Sequence, residues 1–259
     1  MDQPIGGYYT GLDKIAADHG SADFIKISPS SLSKFFSEKH LWYREHILGE
    51  PNPFKGSTST VLGNVIHHFC EQVSNKVKVK DPDIVVAAYL ASINDPDVDK
   101  QFITDNWREM SNTLIQATAV NFDAHSTEQF IHHKLDSGIY VGGSYDLLRK
   151  DYDGRLIVTD WKTASTKPSS FSYAYKLQAF TYCYILRSLG YDIKGTELQF
   201  ITRATKTLPP RHFRFYEEFN DEAYDFIESL LKLMTETIQA SAKHHELRHI
   251  IWQDYRLKE

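Results

Sequence analysis

Three short β-rich runs near the middle of the chain constrain the fold more than any other feature of the sequence. They are "EQFIHHKL", "GIYVGGSYDLLRKD" and "GRLIVTDWKT", separated by the turn signals Asp136-Ser137-Gly138 and Asp153-Gly154. Turns this short join neighbouring antiparallel strands. The runs therefore predict a three-stranded antiparallel meander.

Helical patterns surround the meander. Before it, "ISPSSLSKFFSEKHLWYREHIL", "STVLGNVIHHFCEQVSNKV" and two patterns over roughly 81–120 place apolar residues at helical spacing. After it come a helix in "SSFSYAYKLQAFTYCYILRSLG", with a Ser start and a Gly190 stop, two strands in "GTELQFITRA" and "RHFRFYEEF", and a helix from about 219 to the end. This order predicts an α/β fold with a helical part at 1–125 and a core at 126–259, forming one compact unit.

The composition is that of an ordinary globular protein, with 41% hydrophobic and 24% charged residues in a chain of 259. No apolar run approaches the ~20 residues that span a bilayer, and the N-terminus lacks a signal-peptide pattern. We therefore expect an intracellular, cytoplasmic protein that is not secreted and has no membrane partner. Cys70 and Cys183 lie in apolar helical patterns, which predicts buried thiols rather than a disulfide or a cysteine-ligated metal.

The charges are unevenly distributed. The formal net charge of −5 argues against non-specific coating of nucleic acid. Acidic residues gather in 81–99 and 217–228, whereas 150–214 is locally basic, which is compatible with a phosphate-binding face. A charged run by itself is typical of a solvated surface. The basic residues are Lys167, Lys176, Arg187, Lys194, Arg203, Lys206, Arg211 and Arg214.

Three charged residues are expected to meet at the turn that precedes the third run. Side chains alternate along a strand, so Asp160 and Lys162 share one side and Trp161 lies opposite. The turn brings Asp146 beside them. Two close carboxylates repel unless a cation or a proton intervenes, and a hard divalent ion with a lysine to orient its water would resolve the conflict. Taken singly, each residue is more simply a surface pair or a turn acid.

This spacing resembles the PD-(D/E)xK nucleases, and in particular their RecB-like branch, at Asp146, Asp160, Trp161 and Lys162. An Asp, a β-turn and then Asp-x-Lys on the next strand is the pattern of that superfamily. Tyr145 stands where the superfamily's proline would be, which the RecB-like branch tolerates.

Two helical motifs extend the resemblance, which covers roughly 27–215. The branch's G-x-x-x-H-x-x-x-E motif matches Gly63, His67 and Glu71, and its Q-x-x-x-Y motif matches Gln178 and Tyr182. Residues four apart share a helix face, so we expect Gly63 to allow a close backbone approach and His67 to project toward a metal. The simpler alternatives are a core or surface histidine and ordinary helix residues.

The resemblance implies a restriction-endonuclease-like core, which is a mixed central sheet flanked by helices, with the N-terminal part forming one wall of a cleft. It implies catalysis by Asp146, Asp160 and Lys162. The implied ligands of Mg²⁺ or Mn²⁺ are His67, Asp146, Asp160 and the backbone carbonyl of Trp161, and the supporting or substrate-binding residues are Gln178, Tyr182, Glu71 and Glu128. The region "SEKHLWYREH" has no cysteine, so no iron–sulfur cluster is expected.

The function implied is metal-dependent hydrolysis of DNA, single-stranded or with a free end, by an exonuclease of recombination, repair or replication, with a viral source as one option. Phe171, Tyr173 and Tyr175 are candidates for base stacking. Two alternatives stay open, a non-catalytic DNA-binding module and an RNA-directed or structure-specific endonuclease. The zinc-peptidase pattern "HELRH" at 245–249 is rejected, because a solvated helix face explains it better.

Overall fold

The computed structural model describes residues 5, 11–50, 57–119, 124–205, 207–244, 246 and 248–252. The first half contains α1 (Leu12–His19), β1 (Ile25–Ile27), a 3-10 turn (Pro29–Ser31), α2 (Leu32–Ser37), α3 (Lys39–His46), α4 (Thr58–Ser74), α5 (Pro82–Ser92) and α6 (Lys100–Ala119). The second half contains β2 (Ala124–Asp136), β3 (Ile139–Lys150), β4 (Leu156–Ala164), α7 (Tyr173–Ser188), β5 (Ile193–Thr202), β6 (His212–Glu218), α8 (Asp221–Lys243) and α9 (Arg248–Ile251).

One mixed sheet of six strands forms the centre of the molecule, in the order β1-β3-β4-β5-β6 with β2 also paired to β3. The predicted meander is confirmed, because β3 is antiparallel to both β2 and β4. β4 and β5 are parallel, as expected for strands joined through the crossover helix α7. The mixed sheet flanked by helices agrees with the predicted fold class.

The edge of β3 that faces β4 has a gap. β4 pairs with β3 over 147–150, and β1 pairs with it, in parallel, over 139–141. β2 pairs along nearly all of β3 and so occupies the opposite edge. No strand within the described residues pairs with 142–146 on the first edge. We call this stretch, which contains Asp146, the gap of β3.

Helices cover both faces of the sheet and enclose two apolar clusters. The first cluster joins α2, α3, α7 and α8 to one face, where Val158 and Leu148 point. The second joins α4, α5 and α6 to the other face, and Trp161 is fully buried in it. Consequently Trp161 faces the side of the sheet that α4 and α6 cover.

Side-chain caps account for the starts of the two helices that border the site. Ser57 accepts the backbone N–H of Thr60 at 3.2 Å at the start of α4, and Ser172 accepts that of Tyr175 at 3.3 Å at the start of α7. The predicted Ser start of α7 is thus confirmed. Past its end, Gly190 adopts the left-handed φ of +90° that its predicted role as a stop requires.

Three sequence-based boundaries were wrong. β1 lies in the N-terminal part that was expected to be only helical, because three residues are too few to show a strand period. The first predicted helix divides into the 3-10 turn, α2 and α3, with a break at Glu38. The last helix ends at Lys243 rather than at the terminus.

Both cysteines are buried free thiols, as predicted. The described residues include no helix that is long and apolar enough to cross a membrane.

Candidate active site

Asp146 occupies the point where β3 and β4 separate. The backbone pairing of the two strands ends at Leu147 and Thr159, and the Asp146 carboxylate then accepts the N–H of Trp161 at 2.7 Å. The carboxylate therefore takes the place of a ladder carbonyl. Only 9% of Asp146 is exposed, so this hydrogen bond fixes a nearly buried charge.

The next strand brings an ion pair to the same place. Lys162 Nζ lies 2.7 Å from an Asp160 carboxylate oxygen and 5.2 Å from the ring centroid of Tyr175 on α7. Asp160 is buried and Lys162 half-buried. The sequence thus correctly predicted that Asp160 and Lys162 share a side, which faces α7.

His67 approaches from α4 on the other side of the gap. Its Nδ1 lies 3.5 Å from an Asp146 carboxylate oxygen, and its ring meets Trp161 edge-on. The expected close approach at Gly63 is not needed, because an added Cβ there would meet only Thr163 Oγ1 at an ordinary 3.6 Å. Glu71 lies one turn after His67 on α4 and is half-buried.

Glu128 approaches from β2, and its backbone is strained. Its neighbours pair with Leu147 and Tyr145, so it lies opposite Asp146. Its φ of +47° is left-handed, a conformation that side chains other than glycine adopt at a cost. The first predicted run begins at Glu128, whereas β2 begins at Ala124, so Glu128 lies inside the strand rather than at its start.

The donor atoms of three residues come together at the gap. A ring nitrogen of His67 and carboxylate oxygens of Glu128 and Asp146 all lie within 4.8 Å of one another. Ligands of an octahedral Mg²⁺ lie about 3 to 4 Å apart, given metal–oxygen distances of about 2.1 Å. The chemistry and spacing of this trio therefore fit a hard divalent cation. Asp160 is not part of the trio, since its carboxylate contacts Lys162.

Gln178 and Tyr182 support the backbone of the site. The buried Tyr182 hydroxyl donates to the Ser144 carbonyl at 2.6 Å and also bonds the Gln178 side chain. It thereby satisfies a backbone carbonyl in the gap of β3. Gly143 makes this possible, because a Cβ there would lie 3.0 Å from the Tyr182 hydroxyl and from Pro29.

A family model decides the classification. The model of the PD-(D/E)XK nuclease superfamily matches residues 26–249, which is most of the chain. The chain belongs to this superfamily. A comparison with curated proteins found no match.

Three solved structures resemble this PD-(D/E)XK protein at low identity. "Crystal structure of SSO0001" matches with 18% identity and a TM-score of 0.35, over 78% of this chain and 84% of the other. An alkaline exonuclease, LHK-Exo from Laribacter hongkongensis, matches with 11% identity and a TM-score of 0.42, over 90% and 98%. Its complex with dAMP matches with 13% identity and a TM-score of 0.38, over 86% and 94%.

The charges of this PD-(D/E)XK site are strongly coupled. Burial works against the imidazolium, but the Asp146 carboxylate outweighs it and raises the pKa of His67 to about 9. Burial and the charge of Asp146 raise the pKa of Glu128 to about 8. Burial also disfavours the charge of Asp146, yet His67, Lys162 and the Trp161 N–H hold its pKa below the usual value. The metal-free site therefore retains protons near neutral pH.

Burial shifts the pKa of Asp160 and the pKa of Lys162 in opposite directions. Burial raises the pKa of Asp160 despite the neighbouring Lys162. For Lys162, burial favours the neutral amine, but Asp160 and Asp146 together raise its pKa. Burial, with the charge of Asp146, also raises the pKa of Glu71. Lys162 is thus a fixed positive charge.

Sequence reasoning underestimated Glu128, because no sequence signal reports a left-handed glutamate opposite Asp146.

In the rejected peptidase pattern, His245 and Leu247 lie outside the described residues. Its Glu246 is exposed, and a Glu246 carboxylate oxygen lies 4.0 Å from Nδ1 of His244. The described part of this pattern gives no support to a zinc site.

Proposed function

We propose that this protein is a divalent-metal-dependent deoxyribonuclease that hydrolyses phosphodiester bonds as an exonuclease. One observation carries the proposal. The gap of β3 gathers a cation-binding trio, His67, Glu128 and Asp146, beside the fixed charge of Lys162. A cation and an ammonium group placed together are what phosphoryl transfer needs to offset developing negative charge.

Mg²⁺ or Mn²⁺ would be held by Asp146, His67 and Glu128, joined by Asp160 and the backbone carbonyl of Trp161. When bound, the ion supplies Lewis-acid polarisation of the phosphoryl oxygen and a more acidic water. His67 must give up its proton to act as a ligand, since only the neutral imidazole has a free lone pair.

Lys162 holds the reacting groups in place. Its ammonium forms an ion pair with Asp160 at 2.7 Å and lies over the Tyr175 ring, so its position is defined before substrate arrives. We infer that it orients the attacking water and neutralises charge on the phosphate in the transition state. Gln178 and Tyr182 keep the backbone of the gap in shape, and Glu71 adds negative charge at its border.

The substrate is proposed to be DNA that is single-stranded or has a free end. Support comes from the basic side chains beyond β4, since Lys167 and Arg211 both lie over the ring of Phe213, near the start of β6. Phe171, Tyr173 and Tyr175 lie at or just before the start of α7 and provide stacking surfaces. We place this activity inside the cell, in recombination, repair or replication.

The competing functions are a non-catalytic DNA-binding module and an RNA-directed or structure-specific endonuclease. The complete set of Asp146, Asp160 and Lys162 favours the enzyme, because a binding module has no need of a half-buried lysine among carboxylates. Discrimination against RNA depends on contacts to the 2′-hydroxyl.

The test uses DNA labelled at the 5′ or the 3′ end, single- and double-stranded, together with RNA and a circular single strand. Each substrate is incubated with Mg²⁺, Mn²⁺ or EDTA. We expect metal-dependent loss of label from linear DNA and an intact circle. Cleavage of the circle would identify an endonuclease, and DNA binding with no cleavage of any substrate would favour the binding module.

A further inference from the structure

A cavity of about 410 Å³ opens beside the candidate active site. It lies between the starts of α4 and α7, at the end of β4. Thr163, the residue directly after Lys162, lines it, as does Tyr175, whose ring Lys162 contacts. The cavity therefore adjoins the site at Tyr175 and begins one residue beyond Lys162.

Two kinds of residue line the cavity. Ser165, Thr166 and Arg203 are polar or positively charged. Tyr175 and Phe200 are aromatic, and their rings meet edge to face with centroids 5.9 Å apart. Hydroxyls with a guanidinium suit a phosphate, and an aromatic wall suits a sugar or a base.

Arg203 is held at the mouth of the cavity. Its backbone N–H donates to the Ala164 carbonyl at 3.1 Å, which continues the pairing of β4 with β5. Its guanidinium lies 5.4 Å from the ring centroid of Phe102 on α6. Because backbone and side chain are both anchored, little conformational entropy is lost when Arg203 binds an anion.

We propose that this cavity is a subsite for one nucleotide of single-stranded DNA, the nucleotide next to the scissile phosphate. Its phosphate binds Arg203, Ser165 and Thr166, and its sugar or base packs against Tyr175 and Phe200. The volume is in the range of small-ligand pockets and is too small for a duplex. This inference rests on the proposed function, since it takes the scissile phosphate to lie at Lys162.

The position of the cavity agrees with the path of a strand. Two residues of β4 span about 6.6 Å, which is the order of the distance between successive phosphates on an extended strand. A phosphate held at Lys162 would therefore place its neighbour beside Ala164 and Arg203. The enzyme would therefore bind the DNA strand on one side of the scissile bond, the side that lies toward the end of β4.

The test is DNA binding without catalysis, measured with a short fluorescein-labelled single-stranded oligonucleotide in EDTA over roughly 50 to 200 mM salt. Arg203→Ala is compared with wild type, with Arg203→Lys and with Arg155→Ala. Arg155 is the matched control, because it pairs with Asp192 at the opposite end of the parallel strands β4 and β5 and its loss changes the net charge equally.

We expect Arg203→Ala to weaken binding by about tenfold and to reduce the slope of log K against log salt by about 0.7, the effect of one phosphate contact on a single strand. Arg203→Lys should recover part of both, and Arg155→Ala should match wild type. In cleavage assays Arg203→Ala should raise KM more than it lowers kcat.

Equal binding by the Arg203→Ala and Arg155→Ala proteins would overturn the subsite, and metal-dependent cleavage by the wild type would then leave the proposed function standing. Conversely, a selective loss of binding in Arg203→Ala with a wild type that cleaves nothing would support nucleotide binding in the cavity and refute the hydrolase.

Discussion

The Asp146 carboxylate accepts the backbone N–H of Trp161 at 2.7 Å, at the point where β3 and β4 part. This one hydrogen bond ties Asp146, a proposed cation ligand, to the strand that carries Asp160 and Lys162. The two roles of Asp146 can be tested separately, because the hydrogen bond needs only an oxygen, whereas the proposed cation binding needs the charge.

Substituting Asp146 tests these two roles. Asp146→Asn retains an oxygen for the Trp161 N–H but loses the charge, so we expect a folded protein with little Mn²⁺ affinity. Asp146→Ala leaves a buried N–H unpaired, which costs about 1–3 kcal/mol of the free energy of unfolding. Calorimetric Mn²⁺ titration and urea denaturation measure the two effects. Wild-type Mn²⁺ affinity in Asp146→Asn would contradict the assignment.

The stability of the metal-free protein should fall as pH rises. The pKa of His67 is raised from its usual 6.5 to about 9, and that of Glu128 from 4.5 to about 8. A raised pKa means that the folded state binds the proton more tightly, so the resulting stability is lost as pH rises through the folded pKa. In EDTA we expect Tm to fall by on the order of 5 °C between pH 6.5 and pH 9.

Glu128→Gln should separate stability from metal binding. The amide has no charge to bury, so above pH 8 we expect the metal-free variant to be more stable than wild type while its Mn²⁺ affinity is lower. Thermal melts in EDTA and with Mn²⁺ measure both quantities. A variant that is destabilised in EDTA and binds Mn²⁺ normally would show that Glu128 has only a structural role.

The left-handed backbone at Glu128 makes an independent prediction about stability. Glycine adopts a φ of +47° without the cost that a Cβ brings, so Glu128→Gly should be more stable than Glu128→Ala by about 1 kcal/mol. Gln129 is the control, because it lies in β2 without a positive φ and should show the opposite order. The same order at both positions would refute the strain.

Tyr182→Phe should destabilise the protein by about 1–2 kcal/mol, because the Ser144 carbonyl loses its donor in the unpaired part of β3. Tyr152→Phe is the control, since Tyr152 is fully exposed and its hydroxyl should contribute nothing. Chemical denaturation measures both variants. Equal stabilities would mean that water replaces the Tyr182 hydroxyl at no cost.

Much of the architecture could be predicted because it depends on short-range patterns. The turn signals at 136–138 and 153–154 correctly gave the meander, and strand alternation correctly put Trp161 opposite Asp160 and Lys162. The serine start of α7 was also readable, because capping depends on a single side chain.

The features that were missed depend on long-range geometry. β1 has three residues and pairs with a strand more than one hundred positions away, so no local pattern predicts it. The gap of β3 follows from that pairing. Glu128 reaches Asp146 through a backbone conformation that its residue type disfavours, and Gly143 rather than Gly63 permits the close approach.

The most direct test of the central claim is the rate at which an end-labelled DNA strand is shortened in Mn²⁺ by the wild type and by Lys162→Met, with Mn²⁺ affinity measured on both. We predict that the wild type shortens the strand and that Lys162→Met binds Mn²⁺ but is slower by about 100-fold or more. Equal rates, or a wild type that leaves the strand intact in Mn²⁺, would contradict hydrolysis at this site.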